Sequence, residues 1–319
     1  MTVAVVGKIQ EINSIEKADR LESAIVVCGK AGRWVGVVQK GEFAAGDLVN
    51  VFLQDSLLPP DERWAFMEKS HWRVRMSRFR GAPSECLIVP PYVIGEVGQD
   101  IAEDLGITKY EKLIPASMGG DILGNFPSFI PKTDEPNFQA VPERVQSLIG
   151  YPYYASTKYD GTSCTVFVNN GTLGVCSRNW EMKPGNTVYW EMFKKYNLQS
   201  LVTLGDYAVQ FEIIGPSIQG NPVGLKDREI RVFNVVAYTE HIYMDFDTLK
   251  WLCYTFQLPM VETLGISTWE FTDDEAIRKF AEGIYPNGSP REGIVIRTPC
   301  ASNFEDRLSF KVINLNYKD

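Results

Sequence analysis

The stretch Tyr151-Pro152-Tyr153-Tyr154-Ala155-Ser156-Thr157-Lys158-Tyr159-Asp160-Gly161-Thr162-Ser163-Cys164-Thr165-Val166-Phe167-Val168 decides how the chain is read. Two apolar runs, residues 151–155 and 164–168, flank Lys158-Tyr159-Asp160-Gly161-Thr162. Asp-Gly is a favoured turn pair, so this segment is expected to be a tight turn between two strands. A lysine in such a turn, taken alone, is an ordinary hairpin residue.

Its company changes that reading. Downstream, in order, come Ser177-Arg178-Asn179, Phe211-Glu212-Ile213-Ile214-Gly215, Val232-Phe233-Asn234-Val235-Val236, Arg291-Glu292-Gly293-Ile294-Val295-Ile296-Arg297 and Leu308-Ser309-Phe310-Lys311-Val312. Glu212 sits in a strongly apolar strand, where a lone carboxylate is costly unless it has work to do.

Outward from this core, residues 209–214, 230–238 and 293–297 read as strands, and 186–196 and 273–282 as helices. Residues 113–142 are punctuated by Pro115, Gly119, Gly120, Gly124, Pro127, Pro131, Pro136 and Pro142, which reads as an irregular connector. A boundary near residue 120 divides the chain into 1–120 and 121–319. The first part is β-rich. Residues 3–12, 21–27 and 34–38 form apolar or β-branched runs bounded by glycines, and Gly46-Asp47 opens another strand toward Phe52. Short strands at this spacing predict a small barrel. Residues 59–69 are expected to be helical.

The totals exclude several classes. At 319 residues, 45% hydrophobic and 12% aromatic, the chain suits two globular domains rather than a disordered protein. No run approaches the roughly 20 apolar residues of a membrane span, and residues 1–8 lack the order of a secretory signal. A soluble cytoplasmic protein is expected. Six scattered cysteines without a Cys-x-x-Cys pair argue against a disulfide framework or zinc ribbon. With only His71 and His241, a three-histidine zinc site is impossible. A divalent ion would rest on carboxylates and water, which suits Mg or Mn. The net charge of −8 confines any nucleic-acid contact to a local patch. Residues 69–80 supply one, with Lys69, Arg73, Arg75, Arg78 and Arg80 and no acid.

The ordered motifs from Lys158 to Lys311 resemble those of covalent nucleotidyltransferases, the polynucleotide ligases and mRNA capping enzymes. Trp72-Arg73-Val74, Arg78-Phe79-Arg80-Gly81 and Ile130-Pro131-Lys132-Thr133-Asp134-Glu135 extend the resemblance over nearly the whole chain. Within that group it is most similar to the ATP-dependent RNA ligases of the Deinococcus and Naegleria type. This resemblance implies an α+β protein: an N-terminal OB-like β-barrel, then an ATP-grasp-like nucleotidyltransferase domain of antiparallel sheets and helices.

It also implies the chemistry. Lys158 would take AMP from ATP, pass it to an RNA 5′-phosphate, and release it when a 3′-hydroxyl attacks. Asp160, Glu212 and Glu292 would organise the water shell of a Mg or Mn ion, and Asp160, Glu292 and Lys311 would share in catalysis. Thr157, Gly161, Arg178, Glu212, Phe233, Arg297 and Lys311 would line the nucleotide, with Arg178 on ribose or phosphate and Arg297 on a phosphate oxygen. Phe233 would stack on adenine or serve the core. A free lysine is protonated at neutral pH, and a nearby cation, Lys311 or a metal, is expected to depress its pKa. The partner implied is RNA or an RNA-containing duplex; no membrane and no obligate protein partner are expected.

Two departures stand out. Where many ligases carry Lys-x-Lys in the last motif, Ser309 precedes Lys311. Eight residues follow Lys311, too few for the C-terminal OB domain of DNA ligases and capping enzymes. A DNA ligase, a GTP-using capping enzyme and a non-catalytic OB-type RNA-binding protein remain the alternatives. Residues 69–80 are equally a nucleic-acid contact or one solvated basic face, and Lys132 is equally connector or contact.

Overall fold

The computed structural model describes residues 2–16, 18–110 and 120–317. Leu113, Pro115 and Gly119 of the expected connector lie outside them. The chain divides into two compact units: Met1–Leu113 with Gln139–Pro142, and Ile114–Phe138 with Glu143–Asp319.

The first unit is built on a five-stranded antiparallel sheet in the order Arg33–Gln39, Leu21–Val27, Ala4–Ser14, Leu48–Phe52, Leu87–Val89. Its strands alternate between buried and half-exposed residues, as a sheet with one face on a core requires. The edges nearly close: Glu85 N–H donates 2.8 Å to Val35 C=O, and Val37 N–H donates 3.0 Å to the Ser84 hydroxyl. Val5, Ile9, Ala24, Val26, Trp34, Val49 and Val51 fill the interior. A second cluster, around Phe52, Leu58, Trp64 and Ile101, packs on the other face of this sheet, where Ala4 and Val6 point.

Residues 59–69 differ from the expected helix. Glu62–Ser70 is a 3₁₀ run broken at Trp64, where φ is −112° and ψ 18°. Only Trp64 of this run is buried. Without an apolar stripe at 3.6-residue spacing, nothing holds an α-helix against the barrel.

The second unit pairs two antiparallel sheets. The larger runs Ile122–Asn125, Trp180–Met182, Thr172–Cys176, Thr162–Asn169, Tyr207–Ile214, Glu229–Ala237, Ile242–Tyr243, Ser302–Asn303. Helices Val188–Lys195, Gln199–Val202 and Phe246–Thr255 cover its apolar face, where Cys164, Val166, Phe211 and Val232 meet Trp190, Met192, Leu201 and Leu249. The smaller sheet runs Thr263–Thr268, Pro152–Lys158, Gly293–Arg297, Ser309–Ile313. Helix Asp274–Ala281, capped by Asp273 accepting from Ala276 N–H at 2.8 Å, packs beside it.

Candidate active site

The register of the smaller sheet brings distant lysines together. Lys158 pairs with Gly293, Ser156 with Val295, and Val295 in turn with Lys311. Side chains alternate along a strand, so Ser156, Lys158, Val295, Arg297, Ser309 and Lys311 share one face. Thr157 points the other way. Its hydroxyl donates 3.1 Å to Glu262 Oε2 and it is 2% exposed, so its side chain lies off the lysine face.

In the larger sheet, Ser163 pairs with Glu212, Thr165 with Gln210, and Gln210 with Asn234. These residues form a polar row on the face opposite the helix-covered core. The ladder slips between Gln210 and Phe211, leaving Phe233 unpaired. Phe233 is buried, with the Arg297 guanidinium 5.8 Å from its ring centroid.

Lys158 Nζ lies 2.5 Å from Glu292 Oε1. Burial alone would lower the lysine pKa, but Glu292, Glu212 and Asp160 outweigh it and hold it above its ordinary value. The expected depression of Lys158 by a cation is therefore not what the free protein shows. Lys311 carries the depression instead, from burial first and the charge of Lys158 second. Burial, against the pull of Lys158, raises Glu212 to about 8, with Glu292 and Asp160 adding to the rise. Burial thus disfavours the charged form of Glu212 in the free protein.

Two close approaches account for the glycines. A Cβ on Gly161 would stand 2.4 Å from Ile213 O and 2.7 Å from Glu212 Cγ, and one on Gly293 would stand 2.1 Å from Val312 O. Only glycine lets the Lys158 turn lie against the Glu212 strand and Glu292 enter its ladder.

Three contributors gave no sequence signal of their own. Tyr285 Oη donates 3.1 Å to Lys158 C=O and accepts from Asp160 N–H at 3.3 Å and Glu292 N–H at 3.2 Å. Tyr317 Oη donates 2.6 Å to Asp160 Oδ2. Arg291 is buried and donates to the carbonyls of Phe280, Ala281 and Glu282 at the end of the Asp274–Ala281 helix, anchoring the residue before Glu292.

Residues 131–136 run from one sheet to the other. Gln210 donates to Pro131 C=O at 2.7 Å, the hydroxyls of Thr133 and Ser163 meet at 2.9 Å, and Lys311 N–H donates to Pro136 C=O at 2.8 Å. Arg178, largely exposed, is ion-paired with Asp134, and Lys132 Nζ donates 3.3 Å to Asn179 Oδ1. Glu135 is buried among Arg297 at 3.1 Å, Arg307 at 3.6 Å and the Ser309 hydroxyl at 2.6 Å. The two arginines and Ser309 hold the Glu135 carboxyl below its ordinary value despite burial. Arg297 also donates 3.1 Å to the Ser156 hydroxyl. Its charge is thus met by Glu135, and Lys311 is the other cation on that face of the strand pair.

Among the described residues, no group of three or more His, Cys, Asp or Glu side chains is close enough to hold a metal ion directly. Among the same residues Glu292 Oε2 is nevertheless buried without a hydrogen-bond partner, beside a Glu212 that burial raises and its carboxylate neighbours raise further. An orphan acceptor and a crowded acid suit a hydrated divalent cation reached through its water.

The comparisons agree with this frame. The sequence model of the RNA ligase family matches residues 151–313, and that of an OB-fold domain matches residues 3–91. No curated protein matches the chain by sequence comparison. Among solved structures, Naegleria gruberi RNA ligase with pyrophosphate matches at TM-score 0.83 and 30% identity, covering 98% of this chain and 97% of that one. A mutant of that ligase in its apo form matches at TM-score 0.84 and 30% identity, covering 99% and 97%. A mutant with AMP and Mn matches at 0.82 and 30%, covering 98% and 97%. The architecture is an N-terminal OB-fold barrel followed by a ligase domain. The chain belongs to the RNA ligase family.

Proposed function

We propose that the chain is an ATP-dependent ligase that joins a 5′-phosphate to a 3′-hydroxyl in RNA, with Lys158 as nucleophile. The observation that carries this is the placing of Lys158 and Lys311 on one sheet face, with Glu292 ion-paired to Lys158 and Glu212 near enough to act on its charge. The Naegleria ligase has been solved with ATP and Mn, with AMP and Mn, and with pyrophosphate, the ligands of such a reaction.

In the free protein Glu292 holds Lys158 as an ammonium, so Nζ must lose a proton before it attacks. The neutral amine forms an N–P bond to the α-phosphorus, the bond to the bridging oxygen breaks, and pyrophosphate leaves. An oxygen of the RNA 5′-phosphate then displaces the lysine, taking AMP. Finally the 3′-hydroxyl attacks that 5′-phosphate, AMP departs, and a phosphodiester remains. Lys311 neutralises phosphate charge, and Arg178 reaches the nucleotide once Asp134 releases it. Asp160, Glu212 and Glu292 would hold the water shell of a Mg or Mn ion, which would neutralise charge in this phosphoryl transfer. Histidine has no part in these steps.

RNA is held in part by the hairpin Ser77–Phe79 and Ala82–Ser84, where Arg75, Arg78, Phe79 and Arg80 are exposed. Arginine offers bidentate phosphate contacts and Phe79 a face for a base. Six free cysteines, five of them buried, support a reducing, cytoplasmic setting. The test is sealing, with ATP and Mg or Mn, of nicked duplexes bearing RNA or DNA at the 3′-hydroxyl. RNA-dependent sealing is expected; sealing of all-DNA nicks at equal rate would assign a DNA ligase instead.

A further inference from the structure

We infer that Tyr285 is a positioning residue, whose hydroxyl fixes the separation of Lys158 and Glu292 and so sets the rate of lysine attack rather than nucleotide affinity. This rests on the reading of Lys158 as nucleophile. The pairing of Lys158 with Gly293 is the last rung between their two strands, and beyond it the chains part toward Asp160 and Glu292. Tyr285 Oη takes the place of the next rung. It donates to Lys158 C=O at 3.1 Å and accepts from the N–H groups of Asp160 and Glu292 at 3.3 and 3.2 Å. A phenol has one donor and accepts through its oxygen, so this hydroxyl is fully used by the two loops.

The ring that carries it is itself fixed. Tyr285 is 2% exposed, stacks on Tyr159 at a centroid distance of 5.6 Å and an interplanar angle of 16°, and packs with Ile214 and Val223. Its own loop is closed by Tyr285 N–H to Ser289 C=O at 2.7 Å and Gly288 N–H to Tyr285 C=O at 2.9 Å. Burial keeps the phenol protonated far beyond its ordinary range, so the donor persists at any working pH. All of the hydroxyl's hydrogen bonds to the two loops are to backbone. It therefore acts through the placement of the Lys158 amine and Glu292 carboxylate, and geometry at an attacking group governs rate more than binding.

The test compares wild type with Tyr285→Phe, which keeps the ring and removes only the hydroxyl. Single-turnover labelling with ATP radioactive at the α-phosphate is followed across ATP concentrations. The expected result is a rate of lysyl-AMP formation lower by about 10- to 100-fold, with half-saturating ATP changed by less than about threefold. An unchanged rate, or a loss entirely in ATP affinity, overturns the inference. Failure of wild type itself to label contradicts the nucleophile reading and not the geometry of Tyr285. In that case, or if Tyr285→Phe does not fold, amide hydrogen exchange in wild type decides. Slow exchange at Asp160 and Glu292 supports the bridge; exchange at the rate of an open loop overturns it.

Discussion

Lys158 Nζ and Glu292 Oε1 stand 2.5 Å apart, so the free protein keeps its central lysine as one half of an ion pair. The pair raises the lysine pKa, so the amine is better held and less reactive before substrate arrives. A raised lysine pKa stabilises the fold at neutral pH and is lost only as pH climbs beyond the ordinary lysine range.

Removing the carboxylate should reverse this. In Glu292→Gln without nucleotide, Lys158 should react with an amine-selective reagent at lower pH than in wild type, read by mass spectrometry of its peptide. A pH profile that does not move would show that Glu292 does not hold the lysine charge.

Glu212 gives a second pH signature, of the same sign but in a lower pH window. Its folded pKa of about 8 lies above the unfolded value, so the folded state binds the extra proton between them. Stability falls as pH rises through that window and levels off above about 8. In metal-free protein Glu212→Gln should therefore gain on wild type from pH 5 to pH 8, by up to about 1.4 kcal/mol per pH unit. Thermal melts across that range check it, and a gain confined to low pH would contradict it.

Glu135 sits under Arg297 and Arg307, both nearly buried. Glu135→Ala leaves two guanidinium groups uncompensated, and breaking such a buried network costs about 3–5 kcal/mol. A drop in Tm of roughly 10 °C is expected. A shift within a degree or two would return Arg297 to the phosphate role that its place in the motif suggests.

The strands were readable from apolar runs between glycines, and Leu21–Val27 and Gly293–Arg297 coincide with their expected positions. Lys158, Glu212, Glu292 and Lys311 stood out because they fall in ordered motifs that resemble those of covalent nucleotidyltransferases. What escaped was set by register between distant strands. Tyr285 meets Lys158 across 127 positions and Tyr317 meets Asp160 across 157, and neither sits in a local pattern. Arg297 carried the right motif position but has Glu135 beside it. The charge balance at Lys158 was misjudged because three carboxylates, rather than one lysine, surround it in the fold.

On the barrel unit, Arg78 and Arg80 flank Phe79 on an exposed hairpin. Replacing both arginines by alanine should weaken RNA binding and reduce the slope of log affinity against log salt by roughly 1–2. Labelling by ATP should stay at the wild-type rate. An unaltered salt slope would make the hairpin one solvated basic face.

The central claim is that Lys158 forms a covalent bond to AMP, and labelling tests it most directly. The chain is incubated with ATP radioactive at the α-phosphate and Mg or Mn, then denatured and resolved by mass. Wild type should carry one AMP on the peptide containing Lys158, and Lys158→Ala should carry none. Label that persists in Lys158→Ala, or wild type that takes up no nucleotide, would contradict the account.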